Sequence, residues 1–191
     1  MSVAVRAGTE SDARGAASLH VSAIAEGFLP TLGEPFLTRL YRRVVRDPGS
    51  FLLMSEGGFL AGTEDVSALY RTFLVRDGVV AGLAAAPRLV RSWRKVLETM
   101  RYAKQDGGHE PLPPAELLAV AVDPSARGSG VGRALVTAFT EELRSRRTAG
   151  ARVVVASDNT AAIGLYLACG FTRAASLEVH EGRSSTLLTW S

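Results

Sequence analysis

Six residues, Arg127-Gly128-Ser129-Gly130-Val131-Gly132, stand between an apolar strand pattern and an amphipathic helix pattern. The strand reads Leu117-Leu118-Ala119-Val120-Ala121-Val122 and stops at Asp123-Pro124. The helix places Val131, Leu135, Phe139 and Leu143 four apart, along one face. A glycine turn in that position aims backbone N–H groups and the positive end of a helix dipole at one point, which suits a phosphate or pyrophosphate. A Walker A loop needs Lys and then Ser or Thr after its last glycine. Here Gly132 is followed by Arg133 and Ala134, so that chemistry is excluded. A dinucleotide fingerprint counted from Gly128 needs a glycine where Arg133 stands, and needs its glycines directly after the strand. It fits poorly. On this turn alone, a plain strand-to-helix loop with flexible glycines stays open.

A second segment narrows the choice. Asn159-Thr160-Ala161-Ala162-Ile163-Gly164-Leu165-Tyr166 leads into Cys169-Gly170-Phe171. Together the two segments resemble the GNAT superfamily of acyl-CoA-dependent N-acyltransferases. The first carries the family's Arg/Gln-x-x-Gly-x-Gly/Ala motif as Arg127, Gly130 and Gly132. The second carries its Asn-x-x-Ala-x-x-x-Tyr-x-x-x-Gly-Phe motif as Asn159, Ala162, Tyr166, Gly170 and Phe171. The clear resemblance covers residues 114–175.

The resemblance implies acetyl transfer from acetyl-CoA to a primary amine by direct attack, with no acyl-enzyme. It implies that Arg127, Gly128, Ser129, Gly130, Val131, Gly132 and Arg133 hold the pyrophosphate. Glycine suits that task because a side chain would keep phosphates away from the amides. By the same resemblance Val120, Ala121 and Val122 splay from a neighbouring strand and pair through their backbone with pantetheine. A backbone N–H near Val122 would then face the developing oxyanion. Tyr166 matches the family's acid for the leaving thiolate, although an ordinary phenol is a weaker acid than a thiol. Asn159 matches the pantetheine-binding asparagine, and Ser157-Asp158-Asn159-Thr160 also supplies helix caps. Glu116 opens the strand where several members place a catalytic carboxylate. A water chain, His20 and His109 remain alternatives for the base. Cys169 reads as a small packed hydrophobe.

Composition sets the outer bounds. With 191 residues, 47% hydrophobic and 21% charged, the chain suits one domain spanning 1–191 with its own core. It holds no apolar run of membrane-spanning length, and Ser2-Val3-Ala4-Val5-Arg6 lacks the layout of a signal peptide. The expectation is therefore a cytoplasmic protein without a membrane partner. One cysteine excludes an internal disulfide, and His20, His109 and His180 show no metal-ligand spacing. No metal is expected. A net charge of +3, spread over dispersed arginines without a dense basic run, argues against nucleic acid.

The elements that must position these residues follow from periodicity. A short strand at Val3 and Val5 precedes a helix that starts at Thr9-Glu10-Ser11-Asp12 and continues to Glu26. Phe36, Leu37, Leu40, Tyr41, Val44 and Val45 make a second helix, closed by Asp47-Pro48-Gly49. Glu56-Gly57-Gly58 joins two strands as a hairpin, and His180-Glu181-Gly182-Arg183 joins another pair at the C-terminal end. Residues 65–110 read as a helical insertion before the fourth strand. Val66, Leu69, Tyr70, Phe73 and Leu74 keep helical spacing, as do Leu89, Trp93, Val96, Leu97 and Met100. A strand near 70–75 is the alternative. The expected fold is thus α/β (α+β), the GNAT fold: a mixed, mostly antiparallel sheet of six to seven strands flanked by helices.

Phe28 to Gly33 and Phe36 to Tyr41 resemble a GNAT subgroup found among polysaccharide and amino-sugar biosynthesis enzymes. The acceptor it implies is a small-molecule amine such as an amino sugar. A protein lysine or N-terminal acetyltransferase and a non-catalytic acyl-CoA-binding regulator are the competing classes. The edge of the terminal hairpin leaves monomer and homodimer both open.

Overall fold

The computed structural model describes residues 3–24, 29–76, 112–179 and 183–191. Seven strands form one sheet in the order β1-β2-β3-β4-β5-β7-β6. They are β1 (Val5–Ala7), β2 (Ser50–Ser55), β3 (Gly58–Thr63), β4 (Ala115–Val122), β5 (Ala151–Ala156), β6 (Thr172–Val179) and β7 (Arg183–Trp190). Every neighbouring pair is antiparallel except β4 and β5, which run parallel. A parallel pair needs a crossover. Here it is the helix α4 (Val131–Ser145). The other α-helices among the described residues are α1 (Ala13–Ala23), α2 (Glu34–Arg46), α3 (Val66–Arg76) and α5 (Thr160–Ala168).

The sheet carries a core on each face. One holds Val131, Leu135, Phe139 and Leu143 of α4 and Tyr166 of α5 against Leu60, Leu117, Val153 and Leu188. The other packs Ala13, Ala16 and Ala17 of α1, Leu37, Leu40 and Tyr41 of α2, and Leu69 and Phe73 of α3 against Leu52, Phe59 and Ala119. The four-residue spacing of α4 therefore does what its sequence implies: it lays one apolar stripe on the sheet. Small residues on α1 let that helix sit close to α2.

Several elements refine the expectations. Helix α3 holds for Val66–Arg76, so the strand alternative near 70–75 is set aside. The further helical segments expected between Val79 and Met100, and the histidine His109, lie outside the described residues. The first helix ends at Ala23 rather than near Glu26, although Ala25 and Glu26 are also outside the described residues. Strand β5, an Ala-Arg-Val-Val-Val-Ala run, is not among the expected elements. Its consecutive valines are the available signal.

Helix α4 ends in a Schellman motif. Thr148 donates its N–H to the Leu143 carbonyl at 2.9 Å, and Arg147 to Arg144 at 3.0 Å. Arg147 fills the position that glycine favours, with φ of 59°. Holding a residue with a Cβ there costs about 1 kcal/mol. Arg147→Gly is expected to raise the thermal midpoint by about 2–4 °C. A differential scanning melt checks this.

Candidate functional site

The site starts from a defect in the sheet. Strands β4 and β5 pair only at Ala115 with Ala151 and Glu116 with Arg152, and then part. Among the described residues the backbone of 117–122 has no ladder partner on its β5 side, a gap about 20 Å long at 3.3 Å per residue. A bulge helps create it. Across β3, Ala61 pairs with Ala119 and Gly62 with Leu117, so Leu118 is the extra residue. The bulge also resets the alternation of side chains. Ala115 and Leu117 point to the α4 face before it, and Val120 and Val122 do so after it. The expected splay at Val120, Ala121 and Val122 is present, and the side chains of Val120 and Val122 are core as well.

The glycine turn closes the open end of this gap. Asp123 accepts from the Ser125 hydroxyl and from Ser125 N at 2.9 Å, and those contacts hold its carboxyl below its ordinary range. A short 3₁₀ turn, Pro124–Ala126, follows. Gly128 and Gly130 then adopt φ of 79° and 90°, which admit glycine far better than any residue with a Cβ. Ser129 Oγ locks the turn by donating to the Ala126 carbonyl at 2.6 Å. Ala134 N–H is bonded to the Gly130 carbonyl at 3.0 Å. By helix geometry the N–H groups of Val131, Gly132 and Arg133 have no carbonyl within the helix. Arg127, Gly128, Ser129, Gly130 and Arg133 are exposed, while Val131 anchors its side chain in the core. Gly132 is tightly held. A Cβ there would lie 3.2 Å from Leu165 Cδ2 and 3.6 Å from Val122 Cγ2.

Helix α5 supplies the third wall. Asn159 caps it, accepting from Ala162 N at 3.0 Å, so the capping role is met in the geometry. Tyr166 lies two turns on and is 4% exposed, with its ring 5.6 Å from that of Phe171. Burial pushes its phenol well above the usual range, and the neighbouring Cys169 adds to this. Among the described residues its hydroxyl has no hydrogen-bond partner. A buried hydroxyl left unpaired costs about 1–3 kcal/mol. Cys169 is half-buried, and burial raises its thiol, which fits packing better than nucleophilic work.

Glu116 belongs to the opposite face. Its Oε2 accepts from Arg152 Nε at 2.9 Å, and both side chains are close to fully buried. Burial raises the carboxyl above its ordinary value, and Arg152 opposes that shift. Tyr70 of α3 lies within electrostatic reach of Glu116, and Tyr41 of α2 within reach of Tyr70. Tyr41 in turn hydrogen-bonds His20 Nδ1. Burial lowers His20 to about 4, which makes it a poor base at neutral pH. Sequence reasoning names Glu116 and His20 but misses Arg152, Tyr70 and Tyr41. Helical spacing accounts for the two tyrosines as packing residues, and the strand bearing Arg152 is not among the expected elements.

Tyr166 and Glu116 thus sit on opposite faces of the sheet. In an unbroken sheet they would share no site. The strands part beyond Glu116 and Arg152, and the glycine turn follows the far end of β4. The geometry suits an extended ligand with a phosphate end, added to β4 as an extra strand. Among the described residues no cluster of three or more metal-ligating side chains occurs, and no helix is long and apolar enough to cross a membrane.

Comparison with known proteins gives the family. The model of the Acetyltransferase (GNAT) family matches residues 23–171. The mycothiol acetyltransferase of Sanguibacter keddieii is 32% identical over 173 residues, covering 89% of this chain and 44% of that protein. That of Streptosporangium roseum is 47% identical over 68 residues, covering 36% of this chain and 20% of that protein. The chain spans less than half the length of these curated relatives. Among solved structures, AAC(6')-Ib in complex with ribostamycin and coenzyme A superposes with a TM-score of 0.62 at 15% identity, covering 100% of this chain and 94% of that one.

Proposed function

Because the chain belongs to the GNAT acetyltransferase family, we propose that it moves an acetyl group from acetyl-CoA to a small-molecule primary amine by direct attack. The observation that carries this reading is the six-residue gap beside β4, with unpaired backbone along its length and a helix start at its end. Acetyl-CoA, when bound, supplies the acetyl group as a thioester. The N–H groups at the start of α4, with Arg127 and Arg133, would hold its phosphates. The backbone of Val120, Ala121 and Val122 would bond the pantetheine, and an N–H near Val122 would face the thioester oxygen. The Asn159 side chain would hold the pantetheine arm as well as cap α5.

Two residues would handle protons. Glu116 takes one from the attacking amine, which its raised affinity for protons favours. Tyr166 donates its hydroxyl, which has no hydrogen-bond partner among the described residues, to the leaving sulfur. The curated relatives are named for mycothiol, and the sequence around α2 points to amino sugars, so the acceptor class proposed is an amine of that kind.

Thiol release from acetyl-CoA, measured over amino sugars, amino acids, polyamines and peptides, tests the reading. Release with an amino sugar supports it, and release only with peptides identifies a protein acetyltransferase instead. Tight acetyl-CoA binding with no release for any amine identifies a binding regulator. Glu116→Gln is expected to lower kcat by about 10²–10⁴. An unchanged kcat assigns the proton to a water chain.

A further inference from the structure

Glu116 and Arg152 are the last partners in the β4–β5 ladder before the strands part. Their side chains repeat that pairing as an ion pair at 2.9 Å, with only 11% and 12% of each side chain exposed. The pair therefore sits at the apex of the gap, two residues from the bulge at Leu118. We infer that Arg152 is a positioning residue for acetyl transfer: its guanidinium staples the apex and orients the Glu116 carboxylate toward the gap. This rests on the reading of Glu116 as the base.

The neighbours of Glu116 support the assignment. From α3 it meets Tyr70, beyond which lie Tyr41 of α2 and His20 of α1. The two phenols are raised by burial and stay neutral, while His20 is lowered to about 4 and is neutral above that. On β3 its ladder partner is Thr63, which carries no charge. Among the described residues, Arg152 is the cation whose charge reaches Glu116. It offsets burial, which by itself would protonate the base. Arginine suits both tasks because its charge is permanent and its donors are rigidly planar.

The test is the pH dependence of kcat/KM for thiol release in Arg152→Met, Arg152→Lys and Glu116→Gln. An opposite charge at this range lowers a carboxyl by roughly 1–3 units. Removing it raises Glu116, so the acid limb in Arg152→Met moves to higher pH by roughly 1–3 units. Arg152→Lys keeps the charge but not the planar donors. Its limb stays at the wild-type position while kcat falls about tenfold or more. A folded Arg152→Met with an unmoved acid limb overturns the assignment, because a merely structural arginine would alter stability without moving that limb. If Arg152→Met does not fold, an unaltered kcat in Arg152→Lys overturns it equally. Glu116→Gln separates the two levels. If it keeps wild-type kcat, the base itself is wrong; if it loses kcat while the Arg152→Met limb stays put, only the positioning role falls.

Discussion

Tyr166→Phe is expected to lower kcat by about 10²–10⁴ while leaving acetyl-CoA affinity close to wild type and the thermal midpoint unlowered or raised by a few degrees. The substitution removes one oxygen from a side chain that is otherwise packed against Phe171 and the α4 core. Because that oxygen has no hydrogen-bond partner among the described residues, its loss leaves no new group unpaired in the free protein. A residue serving only the core would be improved or unaffected by such a change. A residue that donates to the leaving sulfur would lose turnover alone. The raised phenol makes complete proton transfer to a thiolate uphill, so in the proposed reaction the hydroxyl would act by donating a hydrogen bond as negative charge develops. Single-turnover rates with the binding constant for acetyl-CoA separate these cases. Wild-type turnover in Tyr166→Phe would mean that the thiolate leaves without this tyrosine.

The second large effect concerns Gly132. Gly132→Val is expected to weaken acetyl-CoA at least tenfold and to lower the thermal midpoint by several degrees. Leu165 and Val122 already stand 3.2 and 3.6 Å from where a Cβ would be, and both belong to the walls of the gap. Two further methyl groups must push α5 away from β4 or tilt the start of α4. Overpacking of this kind costs about 1–3 kcal/mol. Part of it falls on the fold, and part on the aim of the N–H groups that would hold phosphate. Gly132→Ala, with a single carbon at 3.2 Å, should fall between wild type and valine in both measurements. Titration calorimetry with acetyl-CoA and a thermal melt on each variant check the pair. An unaltered affinity in folded Gly132→Val would detach this turn from coenzyme binding.

Much of the donor side is legible in the chain's local patterns. The turn glycines have a physical signature, because positive φ at Gly128 and Gly130 and the close approach at Gly132 each disfavour a side chain. Asn159 is likewise readable, since a cap sits at a set distance from the helix it starts. Glu116 is legible as a residue but not in its environment. Its partner Arg152 lies 36 positions away on a strand whose pairing with β4 lasts two residues. Tyr41, Tyr70 and His20 look like three unrelated residues in sequence. Packing of α1, α2 and α3 on one sheet face puts them together, and no local pattern encodes that.

By itself, then, the sequence determined the family motifs and the turn, cap and helices that present them. Turn residues, caps and helical periodicity act over a few positions, and local sterics suffice to read them. Tertiary structure alone decided that Tyr166 and Glu116 lie on opposite faces of a sheet whose strands part just beyond Glu116. The bulge at Leu118 resets which residues of β4 meet each face, and the ladder to β5 stops after Glu116. The cause is the ladder register between strands distant in sequence, settled by which side chains each face can bury.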